Sequence, residues 1–338
     1  MNNIGYACVN MTLRKENITT GRTVRKATWK KKGLDVLSDC AIQNVQDLRK
    51  ILRWNIDNNY KCYRIGSDLI PWLDYYDITD LKDYKAIKTI LKDIGDLATE
   101  AGIRLSFHPG QFCVLCSPND DVVERTIREL NNHSLIFDMM GFTPSHYNKI
   151  NIHIGGAYGD KKSALDRWIT NWKRLDENTK KRVVVENDDR TSLYSVKDLM
   201  YVHRQIGIPI TFDYYHHSLH PDGLTEQEAL ELAMSTWPKG IVPVTHYSEC
   251  RRDEQQKVIQ EIFETNNIDY DDLPEWPTFK KMHDQFCKTR ITAHSDYIER
   301  EIKTYGHKVD VMVEAKAKEL ATERYKEMYI NNPMLITS

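Results

Sequence analysis

Six apolar segments of this chain each finish on a side chain of metal-ligand type, always at the C-terminal end. Val183-Val184-Val185 runs into Glu186, residues 103–107 run into His108, and residues 149–152 run into His153. Residues 208–212 finish on Asp213, three before His216; residues 241–245 finish on His246, and residues 309–313 on Glu314. Short runs rich in β-branched residues read as buried strands. A carboxylate at the mouth of such a strand is costly unless something pairs with it. A single Glu there would cap a helix or meet an Arg. Six such termini at corresponding ends call for a common cause.

The segments between these strands carry helical periodicity. Ile42, Val45, Leu48, Leu52 and Ile56 predict one amphipathic helix. Leu81, Tyr84, Ile87, Leu91, Ile94 and Leu97 predict a second, stopped by Gly102. Val123, Ile127, Leu130 and Phe137 give a third, closed by Gly141. Ser163 is expected to cap the helix after Gly155-Gly156. Ser195 opens another that Gly207 ends, and Thr225 with Glu228 reads as a capping box. A Lys/Glu-rich helix closes the chain near Ile330.

With two further strands at residues 4–9 and 61–66, the chain alternates eight strands with helices. Parallel pairing with right-handed crossovers follows. Eight units fit one α/β domain, a single (β/α)8 TIM barrel over residues 1–338, better than two open sheets. Residues 250–293, polar and carrying Pro274 and Pro277, are expected to be an insertion after the seventh strand. A barrel gathers functional groups on its C-terminal rim, where strands hand over to loops.

With 338 residues, 41% hydrophobic, the chain can bury a large core, and a net charge of −2 announces no global affinity for nucleic acid. The local picture differs. Residues 10–32 hold eight cations against the single acid Glu16. They read as a basic loop, either solvated or contacting phosphates through residues such as Lys30, Lys31 and Lys32. The seven cysteines are odd in number and scattered, which suits reduced thiols inside a cell. Cys113 and Cys116 have zinc-like spacing but no second pair, and the deaminase pattern is absent. The N-terminus lacks the charged and apolar regions of a signal peptide, and no apolar run approaches the roughly 20 residues that span a bilayer. A soluble intracellular protein with no membrane association is expected.

The expected rim holds His108, His153, Glu186, Asp213, His216, His246 and Glu314, with His294 in the loop after the seventh strand. Mixed imidazole and carboxylate ligands suit Zn²⁺ or Mn²⁺ better than Ca²⁺, and three carboxylates argue for more than one ion. Multi-metal sites are the standard device for phosphoryl displacement.

Several blocks in order along the chain resemble the UV-damage endonuclease family, a relative of the endonuclease IV group. They include Ile4-Gly5-Tyr6 with Cys8 and Asn10, Tyr63-Arg64-Ile65-Gly66, His108-Pro109-Gly110-Gln111, and His153-Ile154-Gly155-Gly156-Ala157-Tyr158-Gly159. Glu186-Asn187-Asp188, Asp213 with His216-His217, and Val311-Met312-Val313-Glu314-Ala315-Lys316 continue the match. The resemblance implies a metal-dependent enzyme that nicks damaged duplex DNA immediately 5′ to pyrimidine dimers, 6-4 photoproducts and some other lesions. It implies two to three divalent ions, Mn²⁺ before Zn²⁺ or Mg²⁺, with Glu186 central to catalysis, and action as a monomer. His108 and His153 would hold one ion with Glu186 bridging to a second; Asp213, His246 and Glu314 would complete the second; His216 and His294 would hold a third. Tyr6, Asn10, Gln111 and Phe112 match positions that the family uses against the lesion and the opened duplex. Two departures stand out: Phe112 replaces a common Tyr, and Val244 stands where members often carry Lys.

Three other readings compete. An abasic-site endonuclease would share the rim. A metal-dependent sugar isomerase would need a closed polyol pocket, against which the basic segment speaks. A lesion-binding protein without catalysis would be expected to lose metal ligands first.

Overall fold

Alternation along eight short strands builds the molecule. The computed structural model describes residues 1–266, 268 and 276–331. Its strands are β1 (Asn3–Ala7), β2 (Cys62–Ile65), β3 (Arg104–Phe107), β4 (Ile150–Ile152), β5 (Val183–Glu186), β6 (Ile210–Thr211), β7 (Val244–Tyr247) and β8 (Asp310–Val313). Every ladder is parallel, and the strand order is β6-β5-β4-β3-β2-β1-β8-β7. The ends meet: Asp213 and His246 form a parallel bridge, and the His246 amide donates to the Phe212 carbonyl at 2.9 Å. The sheet therefore closes into the expected barrel with helices around it.

Because side chains alternate across a strand, each strand feeds two cores. Val183, Val185, Leu105, Phe107, Ile150 and Ile152 face the helices in the main hydrophobic cluster. The inward positions Ala7, Cys62, Val184, Val244 and Met312 belong to a second, small cluster. Gly5 is required there: a Cβ at that position would lie 2.1 Å from the Cys62 carbonyl oxygen.

The helices follow the predicted periodicities with longer bounds. Asp35–Asp57 buries Leu37, Val45, Leu48, Ile51 and Leu52 completely; truncating one such Leu to Ala costs about 2–5 kcal/mol. Tyr84–Ala101 ends at Gly102, whose φ of 64° is left-handed, so the helix stops where predicted. The capping boxes at Ser195 and Thr225 are both formed. One cap is corrected. Asp160, rather than Ser163, caps Lys161–Trp172, accepting from the Ser163 amide at 3.1 Å, because its carboxylate sits one turn earlier.

The basic loop is also corrected. Residues 10–32 include helices Met11–Arg14 and Lys26–Lys32. Trp29 anchors the second helix by stacking on Trp72 with centroids 6.1 Å apart, while Lys30, Lys31 and Lys32 stay exposed. After β7, helices Arg251–Asn266 and Pro277–Lys288 meet through Phe263 and Phe279. Pro274 and its neighbours in the expected insertion lie outside the described residues. The excursion leaves and rejoins the barrel at one point, where Cys250 bridges His294 in antiparallel pairing. Among the described residues no helix is long and apolar enough to cross a membrane.

Candidate active site

Six strands carry a His, Asp or Glu at their last inward position or two residues beyond it, so the pleat itself aims these groups at the barrel mouth. Glu186 ends β5, fully buried. Its Oε2 lies 3.2 Å from His108 Nε2 and 3.1 Å from His246 Nδ1. Its Oε1 lies 3.5 Å from His216 Nδ1. His153 Nε2 is 3.9 Å from Oε2, and the Asn151 amide donates to that same oxygen. Glu314 reaches in from β8, with Oε1 3.1 Å from His246 Nδ1, and pairs with Arg64 on its other side.

Among the described residues two groups of donor atoms result, each with its atoms within 4.8 Å of one another: His108, Glu186, His246 and Glu314, and His153, Glu186 and His216. Glu186 belongs to both. His108 and His153, expected to share one ion, have ring centroids 5.5 Å apart, and the Nε2 of each faces Glu186 Oε2. The barrel's curvature also sets His108 beside His246, with ring centroids 6.0 Å apart. Asp213 caps the short helix Tyr214–Leu219, with Oδ1 accepting from the His216 amide at 2.7 Å. His294 stands at the edge, its Nδ1 3.8 Å from Glu314 Oε2 and its ring 5.9 Å from that of His216.

Glu186 Oε1 and Asp213 Oδ2 are buried carboxylate oxygens without a hydrogen bond. Buried polar groups are normally satisfied, so two such carboxylate oxygens at the barrel mouth fit ligation of divalent cations. The chemistry of the donor set, imidazole and carboxylate, agrees.

Charges in the cluster oppose burial. Burial alone would raise Glu186, but His246, His153 and the bond from His108 hold its carboxyl well below the usual range. Burial likewise opposes Glu314 ionisation and is overcome by Arg64 and then His246. Asp213 goes the other way: burial raises it, against the pull of His216. For His153 burial disfavours the cation, yet Glu186 and Asp188 push it up to about 10. Compensated charge this dense is the signature of a functional centre.

Beside the donor groups opens a cleft of about 1090 Å³, bounded by His153 and His216 on one side and by Glu129, Trp72 and Phe112 further out. Phe112 is 82% exposed, and Gln111 next to it is exposed as well. Tyr6 and Asn10 are placed differently from Gln111 and Phe112. Both are fully buried. Tyr6 OH donates to Asn55 Oδ1 at 2.7 Å, and Asn10 donates to Tyr6 OH at 2.8 Å while capping Met11–Arg14. They brace the wall instead of facing the cleft.

Sequence reading missed Lys149, Asn151, Arg64 and Asp188 as members of this site. The first two lie four and two residues before His153, on the same inward face, so period-two counting would have found them. Arg64 faces inward on β2, and Asp188 Oδ1 lies 3.0 Å from His153 Nδ1.

The family model for UV-endonuclease UvdE matches residues 2–331. The chain belongs to the UV-endonuclease UvdE family. The UV DNA damage endonuclease of Clostridium perfringens is 34% identical across 94% of this chain and 68% of that protein. The UV-damage endonuclease of Schizosaccharomyces pombe is 35% identical across 73% of this chain and 42% of that protein. The crystal structure of SacUVDE superposes with a TM-score of 0.75 and 29% identity, covering 97% of this chain and 99% of that one. Membership in the UvdE family makes this chain a DNA repair endonuclease, and the His/Glu groups at the barrel mouth are of the type that can hold a metal ion.

Proposed function

We propose that this UvdE-family endonuclease hydrolyses the phosphodiester bond immediately 5′ to cyclobutane dimers, 6-4 photoproducts and other lesions in duplex DNA, leaving a 3′-hydroxyl and a 5′-phosphate. It acts inside the cell as a monomer. The observation that carries the reading is Glu186, a carboxylate shared by two groups of metal-type donors beside an open cleft.

The residues that would hold two to three divalent ions, Mn²⁺ before Zn²⁺ or Mg²⁺, are His108, His153, Glu186, Asp213, His216, His246, His294 and Glu314. Ions in such a centre polarise the scissile phosphate and acidify water. Glu186 balances positive charge between the two groups. Arg64 keeps Glu314 ionised and turned inward. A crosslinked dimer cannot enter a pocket while stacked, so the duplex must open. Phe112 offers a stacking face to the bases left behind, and Gln111 offers them hydrogen bonds. Lys30, Lys31 and Lys32 meet phosphates outside the cleft. The open cleft with an exposed aromatic lip suits a polymer better than a small polyol, which disfavours the isomerase reading.

The test is nicking of irradiated and unirradiated supercoiled plasmid, with Mn²⁺ and with chelator. Irradiated plasmid alone should be nicked, and only with metal. Equal nicking of both plasmids sinks the lesion specificity. Cleavage confined to a third plasmid carrying abasic sites, assayed alongside, selects the abasic-site reading, and tight binding without nicking selects the non-catalytic one.

A further inference from the structure

Lys149 enters the barrel just before β4 and is 1% exposed. Its Nζ lies 2.9 Å from Asn151 Oδ1, 3.1 Å from Thr211 Oγ1 and 3.0 Å from His246 Nε2. All three neighbours are an amide, a hydroxyl or an imidazole, so the amine is buried beneath the donor groups without a carboxylate bonded to it among the described residues. Burying an amine there is unfavourable as packing alone. What it touches gives it a use. His246 is completely buried; its Nδ1 faces Glu186 and Glu314 at 3.1 Å each, and its Nε2 faces Lys149. Asn151, which accepts from Lys149, donates in turn to Glu186. Val244 precedes His246 on the same inward face but is apolar, so β7 itself supplies nothing to orient the ring.

We propose that Lys149 is a positioning residue of the metal centre. Reaching across from β4, it holds the His246 ring by Nε2 so that Nδ1 points between Glu186 and Glu314, and through Asn151 it fixes the Glu186 carboxylate. The group behind a ligand sets its orientation, and losing it costs about 10–100-fold in metal affinity. The inference rests on the reading of this cluster as a metal centre, and the experiment separates the two.

Mn²⁺ binding is measured by calorimetry on the full chain without DNA, for wild type, Lys149→Met and Thr211→Val, alongside the melting temperature of each metal-free protein. Lys149→Met keeps the length and removes the polar head. Its Mn²⁺ affinity should fall about 10–100-fold, with the metal-free melting temperature equal to or above wild type. Thr211→Val removes one of the three partners of Nζ, and its affinity should fall roughly threefold, about the worth of one hydrogen bond. It carries the test by itself if the Met variant does not fold. Unchanged affinity with a lowered melting temperature makes Lys149 a packing residue and overturns the proposal. Wild type that binds no Mn²⁺ overturns the metal-centre reading as well, an outcome distinct from a variant that binds as wild type does.

Discussion

Asp213 and His246 form the backbone bridge that closes the barrel between β6 and β7. Both are also candidate metal ligands, and both are completely buried. The seam of the sheet and the seam of the site are the same two residues. β6 is only two residues long, so this bridge and the His246 amide bond set how far apart the two side chains start.

Glu186→Gln should reduce metal-dependent nicking about a thousandfold, equivalent to roughly 4 kcal/mol of transition-state stabilisation. Chelation of wild type should do at least as much. A neutral amide cannot balance the cations expected on both sides, and the barrel core lies elsewhere. Single-turnover nicking rates with circular dichroism as the fold control check this; a Gln variant within fivefold of wild type rejects a bridging role.

Phe112→Ala should slow nicking of dimer-containing duplex about 10–100-fold, in line with the 1–3 kcal/mol that an aromatic ring gives a stacked base. A ring 82% exposed in the free protein supports little core, so the melting temperature should not move. Phe112→Tyr should be near neutral. An abasic substrate, already unstacked, should suffer less than the dimer. If both substrates decline together and the protein melts earlier, the ring is packing and the stacking account fails.

Reversing Lys30, Lys31 and Lys32 to Glu should weaken binding to damaged and undamaged duplex alike. It should also flatten the dependence of binding on salt, because phosphate contacts carry charge and no lesion information. Binding isotherms at several salt concentrations give the slope. An unaltered slope would mean that the end of helix Lys26–Lys32 is merely solvated.

Glu129 in the cleft has its carboxyl raised from 4.5 to about 7 by burial, with the charges of Asp74 and Asp68 adding to it. The folded state then keeps a proton that the unfolded chain releases above 4.5. This contribution to stability is full below that pH and is lost as pH rises through 7. Glu129→Gln should remove that loss, so the variant should gain melting temperature over wild type at pH 8 relative to pH 5. Parallel curves for the two proteins would show that Glu129 ionises as it does in water.

The sequence by itself determined the strand count, the parallel order and the ends of several helices. These depend on local rules: β-branched runs make strands, and Gly102 and Gly207 stop helices by adopting a left-handed φ. It also marked the residue types at the mouth, since alternation in a strand fixes which face a ligand points to. Tertiary structure decided which ligands meet. His108 lies with His246 and Glu314 because a closed, curved sheet brings strands far apart in sequence to one rim, and no spacing along the chain encodes that distance. Burial was decided there too. Tyr6 and Phe112 are both aromatic residues in family-like motifs, yet one is at 0% and the other at 82% exposure. Tyr6 lies in a strand packed under the helix Asp35–Asp57, whose Asn55 takes its hydroxyl, while Phe112 rides a loop with nothing above it. Lys149 was legible only as an inward position. Its partner His246 comes from 97 residues away and meets it only once the barrel has closed.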